Sequence, residues 1–260
     1  MAAFIAERNY FLETLLIAMK QLPIIFENDD YVIVNKGPGL LSIPDRFHPE
    51  WPSALGQLKK VYESIWVVHR IDRDTSGCLC FAKNAEAHRH ASIQFEKRQV
   101  VKIYEAIVHG TPPETHGYID APMMEHPTIK GKMLVHAKLG KPAQTTYDIV
   151  TSYGMFTHMR YTLHTGRTHQ IRVHSNHIGC PIVCDDLYGN GEPVYISTLK
   201  RNYKLAKWEE EERPMLQRLA LHAAALSFTD EQGQTIRAEA DLPKDMHAFL
   251  KQCHKWLKPL

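Results

Sequence analysis

Asp72 stands between Arg70 and Arg73 in the run His69-Arg70-Ile71-Asp72-Arg73-Asp74-Thr75-Ser76-Gly77. Flanking guanidinium groups favour an ionised carboxylate, and an ionised carboxylate can work as a nucleophile or a base. Only Asp74 is close enough in sequence to be an acid/base partner. The plainer alternative is an aspartate that caps a turn or joins a surface ion pair. The elements that must hold Asp72 are readable on both sides. Ile65-Trp66-Val67-Val68 reads as a buried strand and Cys78-Leu79-Cys80-Phe81-Ala82 as another, with turn residues from Asp74 to Gly77 between them. Asp72 is therefore expected at a strand edge.

A second set of chemically able residues is His169, His174 and His177, followed by Asp185 and Asp186. These admit a metal-dependent hydrolase. Against it, the first two histidines are five residues apart rather than the four that align ligands on a helix face, and H-E-x-x-H is absent. A third feature is the stretch 126–147, which has no Asp or Glu but carries Lys130, Lys132, Lys138 and Lys141. It suits a phosphate backbone, and equally a solvated lysine-rich hairpin. The acidic run Glu209 to Glu212 is expected to face solvent.

Alternating residues predict strands over 31–35, 101–109, 145–151, 157–163 and 219–228. Helical spacing recurs at Ala87, Ala91 and Phe95, at Ile171, His174, Ser175 and Ile178, and at Met246, Phe249, Leu250, Cys253 and Leu257. The last set follows Pro243 and Asp245, which suit a helix start. Segments 110–117 and 187–214 read as irregular. Strands outnumber helices without a regular β-α-β alternation, so the expected class is α+β, a mainly antiparallel mixed sheet with flanking helices. Residues 1–22 carry Phe4, Ile5, Phe11, Leu12, Leu15, Leu16 and Met19 at mostly helical spacing, predicting a helical extension ahead of one catalytic domain over 23–260. That extension is too short and interrupted to span a membrane and lacks the features of a secretory signal. Five cysteines without a C-x-x-C pair fit a reducing compartment, so the chain is expected in the cytoplasm. With 31 basic and 29 acidic side chains, net charge alone does not mark a nucleic-acid binder.

Read as H-R-x-D-x-x-T-S-G, residues 69–77 resemble the catalytic signature of the RluA-type pseudouridine synthases. Lys102-x-Tyr104-x-Ala106-x-x-x-Gly110 is similar to the family's second motif. Leu163-x-Thr165-Gly166-Arg167-Thr168-His169-Gln170-Ile171-Arg172-Val173-His174, continuing to Gly179-x-Pro181-Ile182 and Asp185-x-x-Tyr188-Gly189, is similar to the third. Tyr31 to Lys36 followed by Gly39-Leu40-Leu41 resembles the opening strand and lysine turn, and Leu221-His222-Ala223 a late strand. The motifs keep the family order over roughly residues 23–255. Two positions depart from the pattern. Gly37-Pro38 reverses the usual proline-first turn, and Cys184 replaces a glycine, the residue used where a backbone needs positive φ.

The resemblance implies isomerisation of uridine to pseudouridine in ribosomal or transfer RNA, with no metal or redox cofactor. It also implies an antiparallel sheet bisected by a catalytic cleft in which RNA lies. Asp72 would be the catalytic carboxylate, adding to the base, attacking the anomeric carbon or removing a ribose proton. Arg167 would pair with it, and Tyr104 would face the uracil and assist proton removal. Arg70 would fill the space left by the extruded uridine. Arg73, Lys102 and Arg172 are expected at phosphates. The extension is far too short for the S4-type domain that many relatives carry, and a monomer is expected. A catalytically silent RNA-binding protein would not need Asp72, Tyr104 and Arg167 together.

Overall fold

The computed structural model describes residues 22–205 and 210–260. The helix expected over 1–22 lies outside the described residues apart from its final position, as does Glu209 of the acidic run. The described residues fall into two compact units interleaved in sequence. One holds the residues up to Lys102 with Ala223–Asp241, the other Ile103–His222 with Leu242–Leu260.

The first unit carries β1 (Ile24–Glu27), β2 (Tyr31–Lys36), β3 (Trp66–Val67), β4 (Ser76–Ala82), β12 (Thr235–Glu239) and most of β11 (Leu221–Thr229), with helices α1 (Ala54–Leu58) and α2 (Ala85–Glu96). Its strands run in the order β1-β2-β4-β11, with β12 beside β11 and β3 beside β4. Every residue of β4 is buried, which is why its sequence reads as an unbroken apolar run. Gly77, the second residue of that strand, has φ +111°, and a Cβ there would run into the Ala223 backbone. The glycine of the signature is thus required by the close approach of β11. Helix α2 starts at Asn84, whose side chain accepts from the Ala87 amide at 2.8 Å. Its spaced Ala87, Ala91 and Phe95 pack on Tyr31, Ile33 and Cys80, as their periodicity predicts.

The segment read as a buried strand over 65–68 is shorter and more open than expected. Only Trp66 and Val67 pair with β4, and Trp66 is 42% exposed. Its apolar run reflects a two-residue edge strand rather than a core one. By contrast, β12 escaped prediction although Ile236, Ala238 and Ala240 are buried while Thr235, Arg237 and Glu239 are exposed. That alternation was legible after the Asp230–Gly233 turn.

The second unit holds β6 (His116–Asp120), β7 (Met123–Glu125), β8 (Met133–Val135), β9 (Gln144–Ser152), β10 (Phe156–Leu163) and nearly all of β5 (Val101–His109). The order is β5-β10-β9-β6, with β7 and β8 as a separate pair, and these pairings are antiparallel. Helices are α3 (Gln170–His177), α4 (Ile196–Leu199) and α5 (Lys244–Trp256). Helix α5 buries Met246, Phe249 and Cys253, and Phe249 meets Phe156 edge-on at 5.1 Å. The lysine-rich stretch supplies the turn and the second strand of a hairpin, β7 to β8, whose first strand lies just ahead of it, and β6 begins inside the segment expected to be a loop. Cys184 adopts φ +58°, the conformation for which glycine is the usual choice. Its thiol donates to the carbonyls of Glu192 and Leu216 at 3.3 and 3.4 Å, and burial pushes the thiol up to about 11.

Glu105 on β5 faces Arg160 across the strands and accepts from His158 Nε2 and Arg160 Nη2, both at 3.0 Å. The His158 bond foremost, aided by Arg160 and opposed by burial, brings the Glu105 carboxyl from 4.5 to about 2. Because the folded value is depressed, the stabilisation is present above the unfolded value and is lost as pH falls towards the folded one. Urea midpoints should therefore favour wild type over Glu105→Gln at neutral pH, with the gap closing between about pH 4.5 and 2. A gap independent of pH would mean that the pair contributes nothing through charge.

Candidate active site

In the first unit Asp72 lies on the loop between β3 and β4, and four hydrogen bonds fix that loop's backbone. Lys36, at the end of β2, is fully enclosed. Its ammonium donates to the carbonyls of Gly37 at 2.9 Å, Leu40 at 2.8 Å and Arg73 at 2.8 Å. Ser42 Oγ donates to the Ile71 carbonyl at 2.7 Å and accepts from the Ile71 amide at 3.1 Å. The turn after β2 thus grips the residue on each side of Asp72. The Thr75 amide then donates to the Asp72 carbonyl at 3.2 Å, closing a turn. Asp72 itself is half-buried and Arg70 exposed.

His69, first in the signature, has a supporting role. Its Nε2 accepts from the Cys80 amide at 3.0 Å, and its ring stacks on Phe95 at 4.8 Å. Burial foremost, then the Lys102 charge, bring it down to about 3, so it stays neutral. Arg73 pairs with its neighbour Asp74 at 3.2 Å, both side chains more than a third exposed, an arrangement worth little in stability. Lys102 is half-buried, and burial with the Arg98 charge lowers its ammonium.

The enclosed Lys36 ammonium is the supporting group that sequence reading left without a role. The signal was a lysine closing a strand buried at almost every position. Lys36→Met keeps the length and strips the donors from three carbonyls, of which only the Leu40 contact is fully buried, for a combined loss of about 2–4 kcal/mol. A thermal midpoint lower by roughly 5–15 °C is expected. A change within 1–2 °C would show that the network is dispensable.

In the second unit Tyr104 lies on β5 opposite Tyr161 of β10, packed partly against the core. Arg167 sits on the loop between β10 and α3, half-buried, its Nε donating to the Pro142 carbonyl at 3.0 Å. Gln170, buried at the head of α3, organises that loop. Its Oε1 accepts from Thr165 Oγ1 at 2.7 Å and the Arg167 amide at 3.0 Å. Its Nε2 donates to Gln144 O at 3.0 Å and Thr145 Oγ1 at 2.8 Å. Gln170 stood within the third motif, but an amide in a polar run carries no pattern that announces burial.

The description RNA pseudouridylate synthase belongs to a family model that matches residues 30–177. Ribosomal large subunit pseudouridine synthase D of Haemophilus ducreyi is 36% identical over 237 residues, covering 86% of this chain and 68% of that protein. The chain belongs to the RluA-type pseudouridine synthase family. Dual-specificity RNA pseudouridine synthase RluA of Vibrio vulnificus is also 36% identical, over 83% of this chain and 80% of its own. The structure of Human RNA Pseudouridylate Synthase Domain Containing 4 superposes with a TM-score of 0.67 at 23% identity, covering 96% of this chain and 98% of that one. The last likeness bears out the expected α+β fold. Pseudouridine synthases are isomerases, and the substrate class is RNA.

Membership in that family leaves the third motif's histidines with structural work. His174 is fully buried, bonded to Thr145 Oγ1 at 2.9 Å and the Ala121 carbonyl at 3.0 Å. Nε2 is therefore the protonated nitrogen, facing the carbonyl, and burial keeps the ring below its ordinary value. His169, at φ +55° ahead of α3, shares a 2.8 Å hydrogen bond with Tyr188 Oη. Among the described residues no three His, Cys, Asp or Glu side chains gather as metal ligands would. His169, His174 and Asp185 of the hydrolase alternative are thus each held by other partners.

Arg172 requires a correction. Expected at a phosphate, its side chain is 7% exposed and grips the fully buried Asp185. Nε donates to Oδ2 at 2.8 Å and Nη2 to Oδ1 at 2.7 Å, while the guanidinium lies 5.0 Å from the Tyr188 ring centre. Asp185 Oδ1 also accepts from the Leu187 and Tyr188 amides at 3.0 Å. An arginine so enclosed supports the 185–188 turn, and we assign it there.

Proposed function

We propose that the chain isomerises uridine in large-subunit ribosomal RNA to pseudouridine, with Asp72 as the catalytic carboxylate. The observation that carries this is the 36% identity to ribosomal large subunit pseudouridine synthase D over 86% of the chain. The reaction breaks the glycosidic C–N bond, turns the detached uracil, rejoins it through C5 to the same ribose and releases the C5 proton. It needs an anionic oxygen at the sugar or base, a pocket that retains uracil and a proton acceptor.

Asp72, on a loop braced at both neighbours, supplies the oxygen. Arg167 orients that carboxylate with a fork of donors, and Tyr104 assists C5 deprotonation. Asp72 belongs to one compact unit, and Tyr104 and Arg167 to the other. Arg70 offsets the unstacking of the extruded uridine, on the order of a few kcal/mol. Arg73, Lys102 and the lysines at 130, 132, 138 and 141 meet phosphates. The chemistry uses no metal or cofactor, and the chain acts as a cytoplasmic monomer.

Transfer RNA, the alternative that the motif resemblance implies, is the second reading, and a relative named as dual-specificity, of which 80% is covered, favours a second RNA substrate. Purified chain should be incubated separately with large-subunit ribosomal RNA and with total transfer RNA, followed by nucleotide-resolution mapping. New pseudouridine in the ribosomal RNA is expected. Conversion of transfer RNA alone would favour the second reading, and conversion of neither would overturn both.

A further inference from the structure

Two histidines of the second unit, ten positions apart, carry the same pair of backbone bonds. His126 Nδ1 accepts from the Thr128 and Ile129 amides at 3.3 and 3.1 Å. His136 Nδ1 accepts from the Lys138 and Leu139 amides, again at 3.3 and 3.1 Å. An amide nitrogen can only donate, so each Nδ1 is a bare lone pair and the ring hydrogen sits on Nε2. Each imidazole thus closes the turn that follows it, a task more often given to asparagine or aspartate.

The chain uses those residues for it elsewhere. Asn28 Oδ1 accepts from the Asp30 and Tyr31 amides at 3.0 and 2.7 Å, and Asp45 Oδ1 from the Phe47 and His48 amides at 2.8 and 3.0 Å. In the acid-free stretch 126–147 the acceptor is instead a histidine, which makes the same bonds without bringing in a negative charge. The two turns carry all four lysines of that stretch. The first, with Lys130 and Lys132, is shut by the His126 amide donating to the Lys132 carbonyl at 2.7 Å. The second, with Lys138 and Lys141, is shut by the Gly140 amide donating to the His136 carbonyl at 2.9 Å, and Lys141 then exchanges backbone bonds with Met123 at 2.7 and 2.9 Å. Apolar burial does not hold the tips, because Ile129 and Leu139 are 45% and 70% exposed.

We propose that His126 and His136 are positioning residues for RNA binding, each fixing through Nδ1 the turn from which a pair of lysines meets the phosphodiester backbone. The inference rests on the RNA-modifying reading above. A loop already held in its binding conformation loses less freedom when the ligand arrives, so preorganisation appears as affinity. A carboxylate in the same place would close the turn and repel the phosphates it serves, which accounts for the choice of imidazole.

The full chain is tested on large-subunit ribosomal RNA, with Kd from filter binding and kcat and KM from pseudouridine formation. His126→Ala with His136→Ala should weaken binding by roughly five- to a hundredfold. KM should rise with it while kcat stays within about twofold, the mark of lost binding rather than lost chemistry. His126→Asn with His136→Asn should recover most of the affinity, since Oδ1 can accept the same two amides as Asn28 does. In a chain carrying Lys130→Gln, Lys132→Gln, Lys138→Gln and Lys141→Gln, the alanine pair should change Kd by less than about twofold, because residues that act through one another are not additive. Imidazole nitrogen shifts of the wild-type chain should place the hydrogen on Nε2 at both positions. Wild-type affinity in the alanine pair would overturn the proposal, as would asparagine variants no better than alanine, a fall in kcat at constant KM, an undiminished effect without the lysines, or hydrogen on Nδ1. If the alanine pair does not fold, the asparagine pair and the imidazole shifts decide. Conversion of ribosomal RNA by the wild-type chain judges the underlying reading. Binding that depends on the two histidines without conversion overturns that reading alone, and conversion with binding indifferent to them overturns the positioning role alone.

Discussion

Replacing Asp72 by asparagine is expected to lower pseudouridine formation by roughly a thousandfold or more while leaving the thermal midpoint nearly unchanged. The magnitude follows from removing an anionic oxygen that acts on the reacting centre, where a positioned acid, base or nucleophile contributes about 10²–10⁴. The near-silence in stability follows from what holds the loop. Lys36 and Ser42 bond to the backbone of Arg73 and Ile71, and the Thr75 amide bonds to the Asp72 carbonyl. None of these contacts involves the Asp72 carboxylate, so an isosteric amide leaves them in place. Single-turnover assays beside a melting curve check both halves. Substantial residual turnover would remove Asp72 from the chemistry, and a large fall in midpoint would make it a structural residue.

The opposite pattern is expected at Asp185. Asp185→Ala leaves the Arg172 guanidinium enclosed without its carboxylate and frees the Leu187 and Tyr188 amides. Breaking a buried pair by removing one partner costs about 3–5 kcal/mol, which for a chain of this size lowers the midpoint by roughly 6–20 °C. Arg172→Lys should recover little, because one ammonium cannot reproduce two parallel bonds to both carboxylate oxygens. Equal stability of wild type and Asp185→Ala would contradict the role given to the pair.

The strands that sequence reading places well are those with strict alternation or complete burial. Tyr31–Lys36, Val101–His109, Gln144–Ser152 and Phe156–Leu163 all form where their patterns put them. Helix α5 likewise follows from Met246, Phe249 and Cys253 on one face. Short elements were harder to read. Trp66–Val67 borrows an apolar run that looks like core, and β7 and β8, three residues each, are too brief to show a period. Chemistry-bearing residues were legible as types, because a carboxylate between arginines is unusual wherever it occurs. Their supporting partners were not. Arg172 looks like any cationic helix residue until Asp185, thirteen positions away, is found bonded to it. Lys36 reads only as the lysine that closes the opening strand until its ammonium is seen among backbone carbonyls. Such pairings depend on tertiary proximity, which composition and spacing do not specify.

The most direct test compares total RNA from cells lacking this gene with RNA from the same cells complemented by the wild-type chain or by Asp72→Asn, mapped for pseudouridine at every position. The account predicts at least one uridine of large-subunit ribosomal RNA that is unmodified without the gene, restored by the wild-type chain and not restored by the variant. A map identical in all three strains, or a site restored equally by both chains, would contradict it.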